Sequence, residues 1–205
     1  KSTPGEFGKW DYTGEFMGQF GHFNDPALPA ASRSLEHLAY AFFAGGGYTW
    51  TDLTYTPRLG LEYNYASGDS NPTDDRHETF ENLFPTNHKF YGYMDFVSLQ
   101  NIHNVRFTSS IKPVARLNIS AEYHAFWLAD THDNFYAVNG ARRGGIAATP
   151  GTGYGINPGY GNYVGSEVDL VASYAISPTA NLEVGYGHFL KGDFVKQTFS
   201  SPAMG

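Results

Sequence analysis

The sequence predicts an all-β protein: an antiparallel, up-and-down transmembrane β-barrel of which this chain supplies about seven strands. Three observations predict it. From Trp10 to Phe20 every second residue (Trp10, Tyr12, Gly14, Phe16, Gly18, Phe20) is aromatic or glycine, while Lys9, Asp11, Thr13, Glu15, Met17 and Gln19 take the other parity. A period of two sorts these sets onto opposite faces of a strand. The connections then alternate long and short, as in barrels with long extracellular loops and short periplasmic turns. Finally, no run of about 18 apolar residues offers a transmembrane helix, although the chain is rich in Tyr (15), Phe (16) and Gly (24).

The first strand is expected over 8–20, closed by Asn24-Asp25-Pro26 and Pro29. The second, 36–48, carries small and aromatic residues on both faces and ends near Gly45-Gly46-Gly47. A connector with Asp52 and Pro57 leads to the third, 58–67. There Leu59, Leu61, Tyr63 and Tyr65 oppose Arg58, Gly60, Glu62, Asn64 and Ala66. A polar loop opening Gly68-Asp69-Ser70-Asn71-Pro72 precedes the fourth, 101–112, with Val105, Phe107 and Ile111 against Arg106, Thr108, Ser110 and Lys112. The fifth, 116–128, sets Leu117, Ile119, Ala121, Tyr123, Ala125 and Trp127 against Asn118, Ser120, Glu122, His124 and Phe126. The longest loop, 129–165, holds Arg142-Arg143-Gly144-Gly145 and a glycine-tyrosine tract. The sixth, 166–176, places Glu167 and Asp169 opposite Val168 and Leu170. After the turn Ser177-Pro178-Thr179-Ala180, the seventh, 181–189, opposes Leu182, Val184 and Tyr186 to Glu183, Gly185 and Gly187. Residues 1–205 read as a single β domain. Lys1-Ser2-Thr3-Pro4 is no signal peptide, and Ser200 to Gly205 does not end a strand, so the chain reads as open at both ends.

Composition excludes several classes. A net charge of −7 argues against a general nucleic-acid surface. Zero cysteines exclude disulfides and thiolate metal sites. Mean hydropathy is −0.38, which hides a lipid face when strands alternate. Since single-chain barrels use even strand numbers and about 16–18 strands are needed for a wide pore, about seven strands make a portion of one.

Four stretches carry a resemblance: Pro57 to Asp69 (PRLGLEYNYASGD), Phe84 to Asp95 (FPTNHKFYGYMD), Tyr123 to Thr131 (YHAFWLADT), and Gly185 to Phe189 continuing through Gly192 to Lys196. In this order the chain, over roughly 35–197, resembles the C-terminal half of the alginate export family of outer-membrane barrels. The resemblance implies a porin of about eighteen strands in the bacterial outer membrane, passing an anionic polysaccharide or small solutes, with this chain a C-terminal portion lacking the last strand. Membrane lipid and the solute are then its partners, and no cofactor is needed.

The candidate pore lining is Arg58, Glu62, Arg106, Lys112, Glu122, His124, Asp169 and Glu183, with Arg142 and Arg143 gating from the longest loop. Arginine pairs well with uronate carboxylates. The same face also carries Lys9, Asp11, Glu15 and Glu167, so acids outnumber bases, and the alternative is a ladder of mutually satisfied wall charges. Asp69, Asn71, Asp74 and Asp75 form a weak calcium-like cluster without the EF-hand glycine and glutamate; a solvated loop is the simpler reading. His77, His88, His103, His124, His132 and His188 lack metal-binding spacing. Ser120 and His124 are four apart on a strand, about 13 Å, too far for a nucleophile–base pair, and no GxSxG elbow occurs. The chain is therefore expected not to be an enzyme. Passive transport leads. A structural barrel sheathing a partner protein in its lumen, and a soluble carbohydrate-binding β-protein suggested by tyrosine-rich loops, are the alternatives.

Overall fold

A computed structural model describes residues 9–25, 29, 34–83, 87–143 and 154–199. The readings at Lys1–Pro4, Ser200–Gly205, Phe84-Pro85-Thr86 and most of the glycine-tyrosine tract lie outside these residues. Seven long strands form one antiparallel sheet. In chain order the elements are β1 (Trp10–Asn24), β2 (Ser34–Thr49), β3 (Arg58–Ala66), β4 (Arg76–His77), α1 (Asn87–Phe90), β5 (Ile102–Val114), β6 (Leu117–Leu128), β7 (Tyr163–Ser177), β8 (Ala180–Lys191) and α2 (Asp193–Phe199). Sheet order is β1-β2-β3-β5-β6-β7-β8, with short β4 added parallel to β2 through Glu36↔Arg76 and His37↔His77.

Register preserves the alternation across the whole sheet. Glu62 pairs with Arg106, Arg106 with His124, His124 with Glu167, and Glu122 with Asp169. One face therefore collects Asp11, Arg58, Glu62, Arg106, Glu122, His124, Glu167 and Asp169; we call it the inner face. The outer face collects Trp10, Tyr12, Phe16, Phe20, Leu38, Leu61, Phe107, Tyr123, Leu170, Val184 and Tyr186, all exposed. A continuous apolar surface of this extent marks an interaction surface, since solvated sheets scatter such residues singly.

The inner face is roofed at one end by its own loops. Phe80, Val97, Leu99 and Phe135 come from the connections after β3 and β6. Phe194 and Val195 come from α2. They pack on Ala39, Ala41, Ala66, Ile102, Phe126, Leu128 and Val164 of the sheet. Alanines in β2 and β3 leave room for the phenylalanines above them, so volume is conserved across the layer. Strand β1 outruns the expected boundary, reaching Asn24. The two helices and β4 carry no period-two signal, and the sequence pattern did not reveal them.

The expected barrel is not what forms. Among the described residues the sheet ends at β1 on one side and β8 on the other, and these two do not pair. Among the described residues the sheet is open, its first and last strands each paired with a neighbouring strand on one side only. The closed barrel and the porin expected from the sequence are therefore not what the described residues form. Lipid as a partner and the outer membrane as the location were expected together with that barrel, and the open sheet does not bear them out. Among the described residues no helix is long and apolar enough to cross a membrane.

The two faces differ in what they contribute. Phe126 is fully buried and Phe16 is 71% exposed. Phe126→Ala is expected to cost about 3–5 kcal/mol, and Phe16→Ala less than about 1 kcal/mol, by urea unfolding. Equal losses would show that the outer face is covered in the folded chain.

Candidate functional site

The inner face is organised by two arginines. Arg58 on β3 reaches across β2 to Asp11 on β1, donating from Nε to Oδ2 at 3.0 Å and from Nη2 to Oδ1 at 2.6 Å. It can do so because Gly47 lies beneath it on β2; a Cβ there would stand 2.2 Å from Nη2. Nη1 donates to Thr108 Oγ1 at 3.3 Å. Arg106 on β5 forms a second fork, donating to both oxygens of Glu122 at 2.8 Å. Its Nη1 stands 3.6 Å from Glu62. Planar guanidinium and carboxylate groups match in these forks, which makes them directional as well as strong.

A buried polar ladder continues from Arg106. Asn64 Nδ2 donates to Glu62 and to Asn104 Oδ1, each at 3.1 Å. Asn104 Nδ2 lies 3.3 Å from His124 Nδ1, and His124 Nε2 lies 3.4 Å from Glu122 Oε2. An amide N–H can only donate, so Nδ1 accepts and the imidazole proton sits on Nε2, facing Glu122. Burial works against charge on Glu122, but hydrogen bonds from His124 and Arg106, with the arginine's charge, outweigh it. The carboxyl is held down at about 2. Both nitrogens of His124 are thus engaged, by Asn104 and Glu122.

Beyond His124 stand Asp169, 3.9 Å from Nε2, and Glu167. Both are buried, under a strap formed by residues 91–100. Met94 N–H donates to Glu167 Oε1 at 2.7 Å and Tyr93 N–H to Asp169 Oδ2 at 3.2 Å. The strap is held from above by Arg143, whose guanidinium lies 4.3 Å over the Phe96 ring and donates to the Phe96 carbonyl. Arg142 pairs with Asp25 at 2.9 Å. Arg142 and Arg143, the arginines expected to gate from the longest loop, tie that loop to Asp25 just beyond β1 and to the strap.

The remaining sequence candidates are scattered. Lys112 is exposed beside the irregularity between Ile111 and Val114. Glu183 is exposed on edge strand β8, receiving the Tyr93 hydroxyl at 3.5 Å. Asp69 turns inward, 3.9 Å from His77; burial raises its carboxyl to about 6. Asn71 N–H donates to Asp69 and Arg76 N–H to Asp74, while Asp74 and Asp75 are exposed. Among the described residues no three His, Asp or Glu side chains converge to hold a metal ion. Sequence reasoning left Asn64 and Asn104 out of the site and gave Glu167 no role. Their inward parity was readable; the strap that buries Glu167 was not.

Two cavities open on the inner face. One, about 330 Å³, has the Arg58 and Arg106 forks as its floor, with Thr13, Ser110, Asn118 and Ser120 around it. The other, about 880 Å³, lies beside it under the strap. It combines the rings of Phe43, Phe80, Phe90 and Tyr91 with Gln19, Asn64, Asn82 and the carboxylates Glu15, Glu62 and Glu81.

The Arg106 fork should dominate stability. Arg106→Ala leaves Glu62 and Glu122 without their cation, an expected loss of about 3–5 kcal/mol; adding Glu122→Gln should recover part of it in a thermal melt. Because the Glu122 pKa is depressed on folding, its contribution is complete above about 4.5. It is lost as pH falls toward 2, amounting to about 3 kcal/mol. Acid unfolding of Glu122→Gln should lack that component.

No curated protein matches the sequence. The family model described as alginate export matches residues 2–203, nearly the whole chain, so while the porin expected from the resemblance is not what this sheet forms, the chain belongs to the alginate export family.

Proposed function

We propose that this chain is a non-catalytic, carbohydrate-binding β domain of a polysaccharide export system, and that the inner-face groove is where it contacts saccharide. The family's export description supplies the setting. The observation that carries the reading is the 880 Å³ cavity. Aromatic rings there offer flat apolar surfaces for the C–H faces of a sugar ring. Planar amides and carboxylates beside them offer donors and acceptors for hydroxyls. A volume of this size suits a short stretch of saccharide.

Charge decides how the saccharide is held. Arg58 and Arg106 are both engaged by carboxylates of the sheet, and the larger cavity is lined by Glu15, Glu62 and Glu81. Recognition here works through hydroxyls and stacking; a uronate carboxylate entering the groove meets like charge. The expected selectivity is therefore opposite to that of an arginine-lined polyanion channel. A second reading, a partner-holding structural sheet, is favoured by the uncovered outer face with Leu61, Phe107 and Leu170 exposed.

Calorimetric titration with a neutral oligosaccharide and an oligo-uronate of equal length tests the reading. The neutral ligand should bind, and Tyr91→Ala should weaken it about tenfold, the value of one stacking contact. The uronate should bind more weakly, and improve with added salt as repulsion is screened. Absence of binding by either, or tighter uronate binding at low salt, would defeat it in favour of the partner-holding sheet.

A further inference from the structure

The pair Glu167 and Asp169 is unlike the other acids of the inner face. Among the described residues no arginine or lysine pairs with it. Each residue spends one oxygen on the strap, at Met94 N–H and Tyr93 N–H. The other oxygens, Glu167 Oε2 and Asp169 Oδ1, are buried with no hydrogen-bond partner among the described residues. Two ionised carboxylates are acceptors only, and two such acceptors side by side in a dry site are strongly destabilising. One proton resolves both defects: it turns one oxygen into a donor to the other and removes one of two like charges.

We propose that a single proton shared by Glu167 and Asp169 latches the strap 91–100 onto the sheet, and that its loss releases the strap. The fit of the strap is as specific as its chemistry. Gly92 adopts φ +102° and lies flat on the Glu167 carboxylate, where a Cβ would come within 2.6 Å of Oε1. Tyr93 packs over Gly185, the space a side chain on β8 would fill.

The groups facing the pair set its titration. From β6 come His124, 3.9 Å from Asp169, and Glu122, already neutralised by Arg106 from β5. From β8 comes Glu183, near the Tyr93 hydroxyl. From the strap comes Asp95, itself paired with His88; Arg143 touches the Phe96 carbonyl, further along the strap. Burial first, then the charges of Asp169 and Asp95, push Glu167 up to about 8 from 4.5. With the strap open and the carboxyls wetted, the ordinary value returns. The closed form therefore holds one more proton than the open form between pH 4.5 and 8. Raising pH through that window favours opening, by up to about tenfold per unit, and the effect saturates above 8. Phe90, Tyr91 and Leu99 belong to or flank the strap and line the larger cavity, so opening would dismantle the saccharide groove; this consequence alone rests on the proposed function.

Hydrogen exchange at the Tyr93 and Met94 amides of the full chain, corrected for the intrinsic pH dependence of exchange, reads the latch without any saccharide. In the wild type, protection should fall at least about tenfold from pH 5 to pH 9. Glu167→Gln should hold protection flat, since the amide donates permanently to Asp169 while its oxygen still accepts Met94 N–H. Gly92→Ala should lack protection at every pH. Should Glu167→Gln fail to fold, Asp169→Asn replaces it, with carboxyl-carbon NMR reading Glu167 directly in the wild type. Flat wild-type protection, an unchanged slope in the variant, or Glu167 titrating below 5 would overturn the latch. Loss of saccharide binding with the latch intact would instead count against the proposed function.

Discussion

A single β-sheet has two faces and two edges, and among the described residues only one face is covered. That constraint orders everything else. Polar side chains on that face satisfy one another, so Arg58 and Arg106 are locked into carboxylate forks and Asn64, Asn104 and His124 form a ladder beside Arg106. Covering it requires loops long enough to fold back over the strands, which is why the connections after β3 and β6 are long and rich in the phenylalanines that form the core. The uncovered face keeps its rings exposed.

Charge on the covered face is arranged by reach. Arginine has a long stem, so Arg58 can cross an intervening strand, provided that strand carries glycine below the guanidinium. The acids outnumber the arginines that reach them, and the surplus goes to two destinations. Some carboxylates, such as Glu15, line open cavity. Glu167 and Asp169 instead lie under the strap, where solvent cannot help and backbone N–H groups take over half the task. The same excess of acid that argues against a polyanion channel thus supplies the anchor for the loop that shapes the groove.

Much of the sheet was legible in the sequence, because parity is a local property: Leu61 and Glu62 fall on opposite faces whatever surrounds them. Strand cores fall within the expected spans for the same reason. Closure was not legible. Whether a sheet closes depends on summed twist, tilt and stagger across all its strands, and no residue encodes that alone. A lipid face and an uncovered sheet face also read identically as alternating rings, so the pattern at Trp10–Phe20 supported a solvent it could not identify. The site divides the same way. Arg58, Glu62, Arg106 and Glu122 were singled out by parity and type. Glu167 gained its role only when a loop some 70 residues earlier in sequence folded onto it, and Arg142 and Arg143 became fasteners only through partners distant in sequence.

The open sheet is the claim on which the corrected reading stands, and its edges report on it directly. Among the described residues β1 and β8 each have a partner strand on one side only. Residue-resolved hydrogen exchange of the full chain should show alternate amides along both edges exchanging rapidly, while neighbours directed at β2 and β7 stay protected. Protection of both sets along the two edges would mean that β1 and β8 are paired, and the account of an open sheet with one covered face would be wrong.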